Sequence, residues 1–459
     1  MASRDRVSFL DFGRHDFGRH DFGRHDFGRR EAPRPAAPRQ PRRPTARPEL
    51  VARFERSVGG QYEECAEGYR LIGRRLHRPD ERYGSSRLGD VLDLPARVLA
   101  SLARDDELGT ADLHGLTFVD CETTGLAGGT GTKAFLVGIA RFDTEGDTEG
   151  DTEGSKGLVI EQHFLPDYDL EPAFLGGVAA SLERAGALVT FNGKSFDMPL
   201  LETRFALARR RADWLDLPHL DLLHPARRVW RRRLASCSLT SLEEQVLGVR
   251  RESDLPGWLI PSVYFQFLRT GDFGPLEVVF EHNRRDLLGL VALTVVVARL
   301  VGGEEEPADT LDLYSLGRYL EDLGEHGRSA GCYLRALEDG LGAAEEAEAR
   351  ARLALLHRRA GDRAAEVAEW EALARADAPL ALLALVELAK HYEHRARDFP
   401  RALEVTRRAL LLAQDTQDTT QDTMKIPPSG ELNPTALERR LWRLEARASG
   451  TWRRTPLVG

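Results

Sequence analysis

Three apolar, β-rich runs follow one another closely: LTFVDCET (116–123), AFLVGIARF (134–142) and LVIEQHFL (158–165), joined only by polar or glycine-rich connections. Short apolar runs bounded by turn residues are strands, and three in succession with such connections make a meander. The pattern then alternates. It gives an amphipathic helix at about Leu170–Ala185, a strand LVTFNG (188–193) and a helix over Asp197–Arg210. A short strand HLDLL (219–223) follows, and the segment closes on helices, the last at about Pro275–Leu300. Strands meeting helices in this order predict an α/β domain over 116–302, with a mixed five-stranded sheet covered on both faces. The stretch 51–115 has mixed character, with helix-like apolar spacing at Leu92, Leu94, Val98, Leu99 and Leu102, and reads as a helical lead-in.

Beyond Asp309 the strand pattern stops. Residues 309–448 are rich in Ala, Leu, Arg and Glu and are broken by short polar turns, as expected of an all-α repeat region. In one hairpin Leu313, Leu316, Gly317 and Leu320 would face Tyr333 and Ala336. In another, Leu385, Leu388, Ala389 and Tyr392 precede Ala402 and Ala409, and a weaker copy lies around Leu353–Leu373. The offset from Gly317 to Ala389 is close to two periods of the roughly 34-residue tetratricopeptide unit. A generic helical bundle remains the alternative. The change of pattern near Gly302 predicts that the sheet domain folds without these helices.

The first 50 residues differ from both regions. They hold 12 Arg against 5 Asp and 2 Glu, and DFGRH recurs three times from Asp11 before DFGRR and a Pro/Arg/Ala stretch. Such a composition cannot offset chain entropy by burial, so a disordered tail is expected. Its DFG triplets come without the strand lysine or HRD loop of a kinase. Two further microrepeats, DTEG over Asp143–Gly154 and QDT-type units over Gln414–Thr423, are expected at exposed loop tips. No run of 18 apolar residues occurs, and the start MASRDRVSF has no apolar signal region, so neither a membrane span nor secretion is expected. Four widely spaced cysteines without a CxxC exclude a zinc-finger pattern and suit a reducing cytoplasm. The net charge of −9 does not by itself mark a nucleic-acid binder.

The residues that carry chemistry are acids at strand ends. Asp120 and Glu122 in FVDCETTGL lie two apart, which puts both carboxylates on one side of a strand and Cys121 on the other. Two acids beside each other in an apolar strand repel and are costly to desolvate. A hard divalent cation such as Mg²⁺ or Mn²⁺ compensates them best, the alternative being a pair at a solvated edge. Asp197, in NGKSFDMPLL, opens a predicted helix and could equally be its N-cap. His282 and Asp286, in EHNRRDLLGL, stand at i and i+4 on one face of the last helix.

Together these motifs resemble a family. DxE on the first strand, N-x3-FD after the fourth and a base-x3-D pair on a late helix are similar to the DEDD 3′–5′ exonucleases of the ribonuclease H-like fold. Asn192 to Asp197 and HLDLL resemble the proofreading exonuclease domain of family B DNA polymerases. The run ETTGLAGGTGT and the HN-x2-D of the last motif resemble the YprB-type ribonuclease H-like proteins, several of which also carry tetratricopeptide repeats. The resemblance covers about Arg87 to Leu300. It implies that Asp120, Glu122, Asp197 and Asp286 hold two divalent ions, Mg²⁺ or Mn²⁺, about 3.5–4 Å apart. It further implies that His282 orients or deprotonates the attacking water, and that Thr123, Asn192 and Phe196 contact the substrate. The three-residue spacing belongs to the tyrosine subclass, yet a histidine fills the base position. Glu281 occupies the offset used by the histidine subclass.

Two more segments bear on substrate binding. GLAGGTGTK (125–133) lacks the GK[ST] of a P-loop and joins two strands, so it either lets backbone approach a terminal sugar or phosphate or is a plain hairpin. The basic run 225–233 carries five arginines and Trp230. Arg227 and Arg228 could neutralise phosphates and Trp230 could stack on a base, although a solvated helix face fits the same pattern. The expected activity is metal-dependent 3′–5′ hydrolysis of single-stranded or frayed DNA or RNA, with the helices docking a protein partner. A structure-specific endonuclease and an inactive nucleic-acid-binding scaffold are the alternatives.

Overall fold

The computed structural model describes residues 47–125, 131–143, 157–252, 254–375, 380–415 and 432–449. The DFGRH repeats, most of the DTEG tip, residues 126–130 of the glycine-rich run and most of the QDT-type units lie outside them. The strands are β1 (Gly60–Cys65), β2 (Gly68–His77), β3 (Arg82–Tyr83), β4 (Ser86–Arg87), β5 (Leu116–Thr123), β6 (Ala134–Phe142), β7 (Leu158–Phe164), β8 (Ala187–Thr190) and β9 (His219–Asp221). The helices that cover the sheet are α1 (Pro48–Val58), α2 (Ala96–Ala103), α3 (Glu171–Leu182), α4 (Asp197–Leu207), α5 (Leu223–Trp230), α6 (Leu239–Leu242), α7 (Ile260–Thr270) and α8 (Leu276–Gly302). The C-terminal region is largely helical: α9 (Thr310–Asp322), α10 (His326–Asp339), α11 (Ala343–Ala360), α12 (Arg363–Arg375), α13 (Ala381–Lys390), α14 (Phe399–Asp415) and α15 (Pro434–Ala448).

The main sheet has seven strands rather than the expected five, in the order β1-β2-β7-β6-β5-β8-β9. β8 and β9 run parallel to β5, and the other neighbours are antiparallel. The two additional strands come from the supposed helical lead-in. In β2 the buried positions alternate at Tyr69, Leu71 and Gly73, but Ile72 and Leu76 fall out of that phase among arginines and glycines, so no clean period marks the strand. A strand buried on one face and broken by charges presents a weak signal of this kind. The N-terminal tail is also shorter than expected, because Pro48 opens α1 as a residue suited to the first helical turn.

β6 and β7 are buried at every position, which explains their unbroken apolar runs. Alternation still sorts their residues between two layers. Phe118, Ala140 and Ile160 face a core shared with α2, α5 and α8, whereas Val119 and Ile139 face one shared with α1, α3, α4 and α7. α8 spans both layers, with Val279 and Phe280 in the second and Leu287 to Val301 in the first. Its close approach requires Gly138 on β6. A Cβ there would lie 2.3 Å from the Asn283 side-chain oxygen and 2.8 Å from Leu287.

α9 packs directly on this first core, contributing Leu316, Tyr319 and Leu320. α9 thus covers part of the apolar stripe of α8, instead of lying beyond a sheet domain that ends near Gly302. Within the helical region, Gly317 sits 3.0 Å, measured from a built Cβ, from the Tyr333 ring. Leu385, Leu388, Ala389 and Tyr392 join Ala402 and Ala409 in a further core with Trp370 and Leu373. Leu313 meets Tyr333 and Ala336 as read from sequence, whereas Leu316 and Leu320 turn to the sheet core instead.

Candidate active site

β5 delivers Asp120 and Glu122, α4 delivers Asp197, and α8 delivers His282 and Asp286. All five come to one end of the sheet. The Glu122, His282 and Asp286 ligand atoms lie within 4.8 Å of one another. Burial pushes the Asp120 carboxyl well up, with Asp286 and Asp197 adding repulsion. Burial does the same to Glu122, followed by the charges of Asp120, Asp286 and Asp197. Asp197 is pushed up to about 7, first by burial and then by Asp221. It is the first residue of α4, and Phe196, half-buried, takes the cap position instead.

Each side chain is held from behind. Asn283 donates to the Asp120 Oδ2 at 2.8 Å and itself accepts from Gln162 at 2.9 Å. His282 Nδ1 lies 2.8 Å from Asp254 Oδ1, and its Nε2 lies 3.4 Å from Asp286 Oδ2. A carboxylate only accepts, so Asp254 fixes the proton on Nδ1 and leaves Nε2 toward the acids. The buried Arg251 pairs with Asp286, binds Glu243 through Nε at 2.6 Å and Nη2 at 2.8 Å, and reaches Asp254 at 3.3 Å. Burial disfavours its charge, but Glu243 and Asp286 hold it protonated. Glu243 is itself fully buried, accepts from Tyr83 at 2.9 Å, and depends on Gly289 of α8, where a Cβ would come within 2.3 Å of it.

Among the substrate-contact candidates, Thr123 is buried and donates to the Gly125 carbonyl at 2.9 Å. Asn192 is exposed and takes a left-handed φ of 65°. Its N–H and that of Lys194 bond to Asp221 at 2.7 and 3.1 Å, so Asp221 shapes the loop that leads to Asp197. Trp230 is corrected: only 2% exposed, it is part of the hydrophobic core and cannot stack on a base. Arg228 is also placed differently, pairing with Asp322 of α9 at 3.0 Å and covering the Tyr319 ring. Arg227 remains exposed. Glu281 is occupied by Arg284 and Arg285, each at 2.7 Å. Lys133 of the glycine-rich run pairs with Glu171, so it does not serve as a phosphate-binding lysine here.

Sequence reasoning missed Arg251, Asp254 and Glu243. No periodicity marks them, because each reaches the site from a loop or short helical turn distant in sequence from the acids. Asn283 was visible in HN-x2-D, but not its bond to Asp120.

A metal-free cluster of this kind stores repulsion, and Asp197 gives a signed test. Its folded value near 7 lies above the unfolded value of about 3.9. The ionised form therefore destabilises the fold above pH 7, and the penalty disappears as pH falls toward 4. With EDTA present, Asp197→Asn is expected to melt higher than the parent at pH 8 by the equivalent of a few kcal/mol, with the gap reduced to roughly a third at pH 5 and closed near pH 4. A variant less stable at pH 8 would mean that the charge is compensated in the metal-free protein.

A seven-stranded mixed sheet with acids brought together from β5, α4 and a long helix has the ribonuclease H-like architecture. The RNase_H superfamily profile matches residues 117–298, the segment that carries all five residues. The chain is 33% identical over 300 residues to YprB of Bacillus subtilis (strain 168), a protein described as uncharacterized; the match covers 65% of this chain and 69% of YprB. The chain belongs to the YprB family within the ribonuclease H-like superfamily. That superfamily points to a nuclease, and nucleases of this fold typically use divalent metals. The donor set fits such ions: all four acids offer hard oxygens, and burial with mutual repulsion raises the carboxyls of Asp120 and Glu122, neither of which is in an ion pair among the described residues.

Proposed function

We propose that this protein is a DEDD-type 3′–5′ exonuclease acting on single-stranded or frayed nucleic acid with two Mg²⁺ or Mn²⁺ ions. The observation that carries the reading is Glu122, Asp286 and His282 placed to share one ion, with Asp120 and Asp197 close enough to repel them and the histidine's far nitrogen held by Asp254. Asp120, Glu122, Asp197 and Asp286 would hold the ions. When bound, these would neutralise phosphate charge and acidify a water. His282 receives the proton of the attacking water at Nε2, while Asp254 holds the ring and stabilises the charge it acquires. Asn283 and Arg251 keep Asp120 and Asp286 in position. Thr123, Asn192 and Phe196 line the approach for the terminal nucleotide. The helix pairs of 309–448 are tetratricopeptide-like repeats, whose outer members dock a protein partner. Four free cysteines suit a cytoplasmic location.

The test is degradation of end-labelled DNA and RNA oligomers with Mg²⁺, Mn²⁺ or EDTA. Stepwise shortening from the 3′ end in either metal, stopped by EDTA, supports the reading. Cutting that continues on a 3′-blocked strand makes the protein an endonuclease. No cutting in any metal leaves a binding scaffold.

A further inference from the structure

Two clefts border α5, one beside the Asn192 loop that leads to Asp197 and one beside α9. The first, about 780 Å³, begins at Phe191 and Asn192 and passes Leu223, Arg227, Arg231 and Cys237. The second, about 590 Å³, lies between α5 and α9. Arg227 and Arg231 line it too, opposite Ser315, Arg318 and Tyr319. Arg227 and Arg231 thus form a wall common to both clefts. Among the described residues neither arginine has a carboxylate at ion-pair distance, whereas Arg228, Arg232 and Arg318 have acidic partners. Unneutralised arginines held side by side repel each other, an arrangement that an anion relieves. A second observation comes from the opposite wall. Ser315 is 98% buried and lines the second cleft, and its hydroxyl has no hydrogen-bond partner among the described residues. A buried hydroxyl left unpaired carries a desolvation cost unless something in the cleft bonds to it.

We propose that the two clefts together hold the phosphodiester backbone of the strand whose end lies at the acids, with Arg227 and Arg231 as the central contacts and α9 as the far wall. This rests on the nuclease reading above. Phosphate is the shared chemistry of a strand and of a free polyphosphate. The Asn192 loop beside the first cleft favours the strand, because a free ligand needs no connection to the acidic site.

The test uses the full chain in EDTA with fluorescent 4- and 20-nucleotide strands and inorganic triphosphate as competitor. Arg227→Gln/Arg231→Gln changes two exposed side chains, so melting should not shift. It is expected to weaken the 20-mer on the order of tenfold at low salt and to reduce the log–log salt slope by about 1.4, the value for two lost single-strand contacts. The 4-mer should change less than twofold. Arg318→Gln should weaken the 20-mer alone if α9 is a wall of the track. Unchanged 20-mer affinity, or equal losses for both strands, overturns the proposal. So does triphosphate binding that the double variant abolishes while the 20-mer stays bound, which makes the cleft a free-phosphate site. Metal-dependent hydrolysis of thymidine 5′-p-nitrophenyl phosphate is measured alongside. Its absence would overturn the nuclease reading, whereas the strand-length comparison judges the cleft.

Discussion

Asp120→Asn abolishes metal-dependent cleavage. Asp120 sits where β5 and α8 meet. Its Oδ2 already accepts from Asn283, so an amide keeps the volume but removes the charge and an oxygen donor. Charge neutralisation at phosphorus by bound ions is worth several kcal/mol, and each 1.36 kcal/mol is tenfold, so a loss on the order of 10³-fold or more is expected in the oligomer assay. His282→Gln should lower the rate by about 10²–10⁴-fold, the range for a positioned acid or base. The pair of variants also separates two roles for the histidine. As a base it leaves the metal concentration for half-maximal rate unchanged. As a ligand beside Glu122 and Asp286, which its 4.8 Å proximity permits, it raises that concentration. Full activity of Asp120→Asn would overturn the assignment of the acids.

The legible parts of this chain were those where one local rule decides the outcome. β5, β6 and β7 were read nearly to their ends because strands buried on both faces need unbroken apolar runs. Asp120 and Glu122 were found by alternation, and His282 with Asp286 by helical spacing. The failures arose where tertiary contact overrides local pattern. The arginines of 225–233 look like a nucleic-acid grip in sequence, yet Arg228 and Arg233 are spent on Asp322 and Asp312 of α9, and Trp230 points inward. Only Arg227 and Arg231, on the remaining face of the same short helix, stay open. No local signal distinguishes these two sets. It depends on where α9 docks, a contact between segments some 90 residues apart. β2 was missed for a related reason: its pairing with β7, not its propensity, makes it a strand.

That docking also decides what truncation does. Ending the chain at Gly302 removes Leu316, Tyr319 and Leu320 from the core they share with α8 and α5. Burying each such side chain is worth about 1.5–3 kcal/mol, so the three together approach the 5–15 kcal/mol by which a domain is stable at all. The same cut deletes the ion pairs from Arg228 to Asp322 and Arg233 to Asp312. It also removes Arg328, which donates to the Val301 carbonyl at 2.6 Å and so closes the end of α8. A chain ending at Gly302 is therefore expected to be insoluble, or to melt more than about 10 °C below the full chain. Ending at Gly342 keeps α9 and α10 and gives up mainly the packing of Ala349 and Leu356 on Tyr314 and Tyr333. That chain should stay folded and cleave short oligonucleotides at near the full rate, as judged by circular dichroism melting and the end-label assay. A well-folded, active Gly302 product would mean that α8 can cover its own apolar stripe. An inactive but folded Gly342 product would mean that the outer helices reach the acids after all.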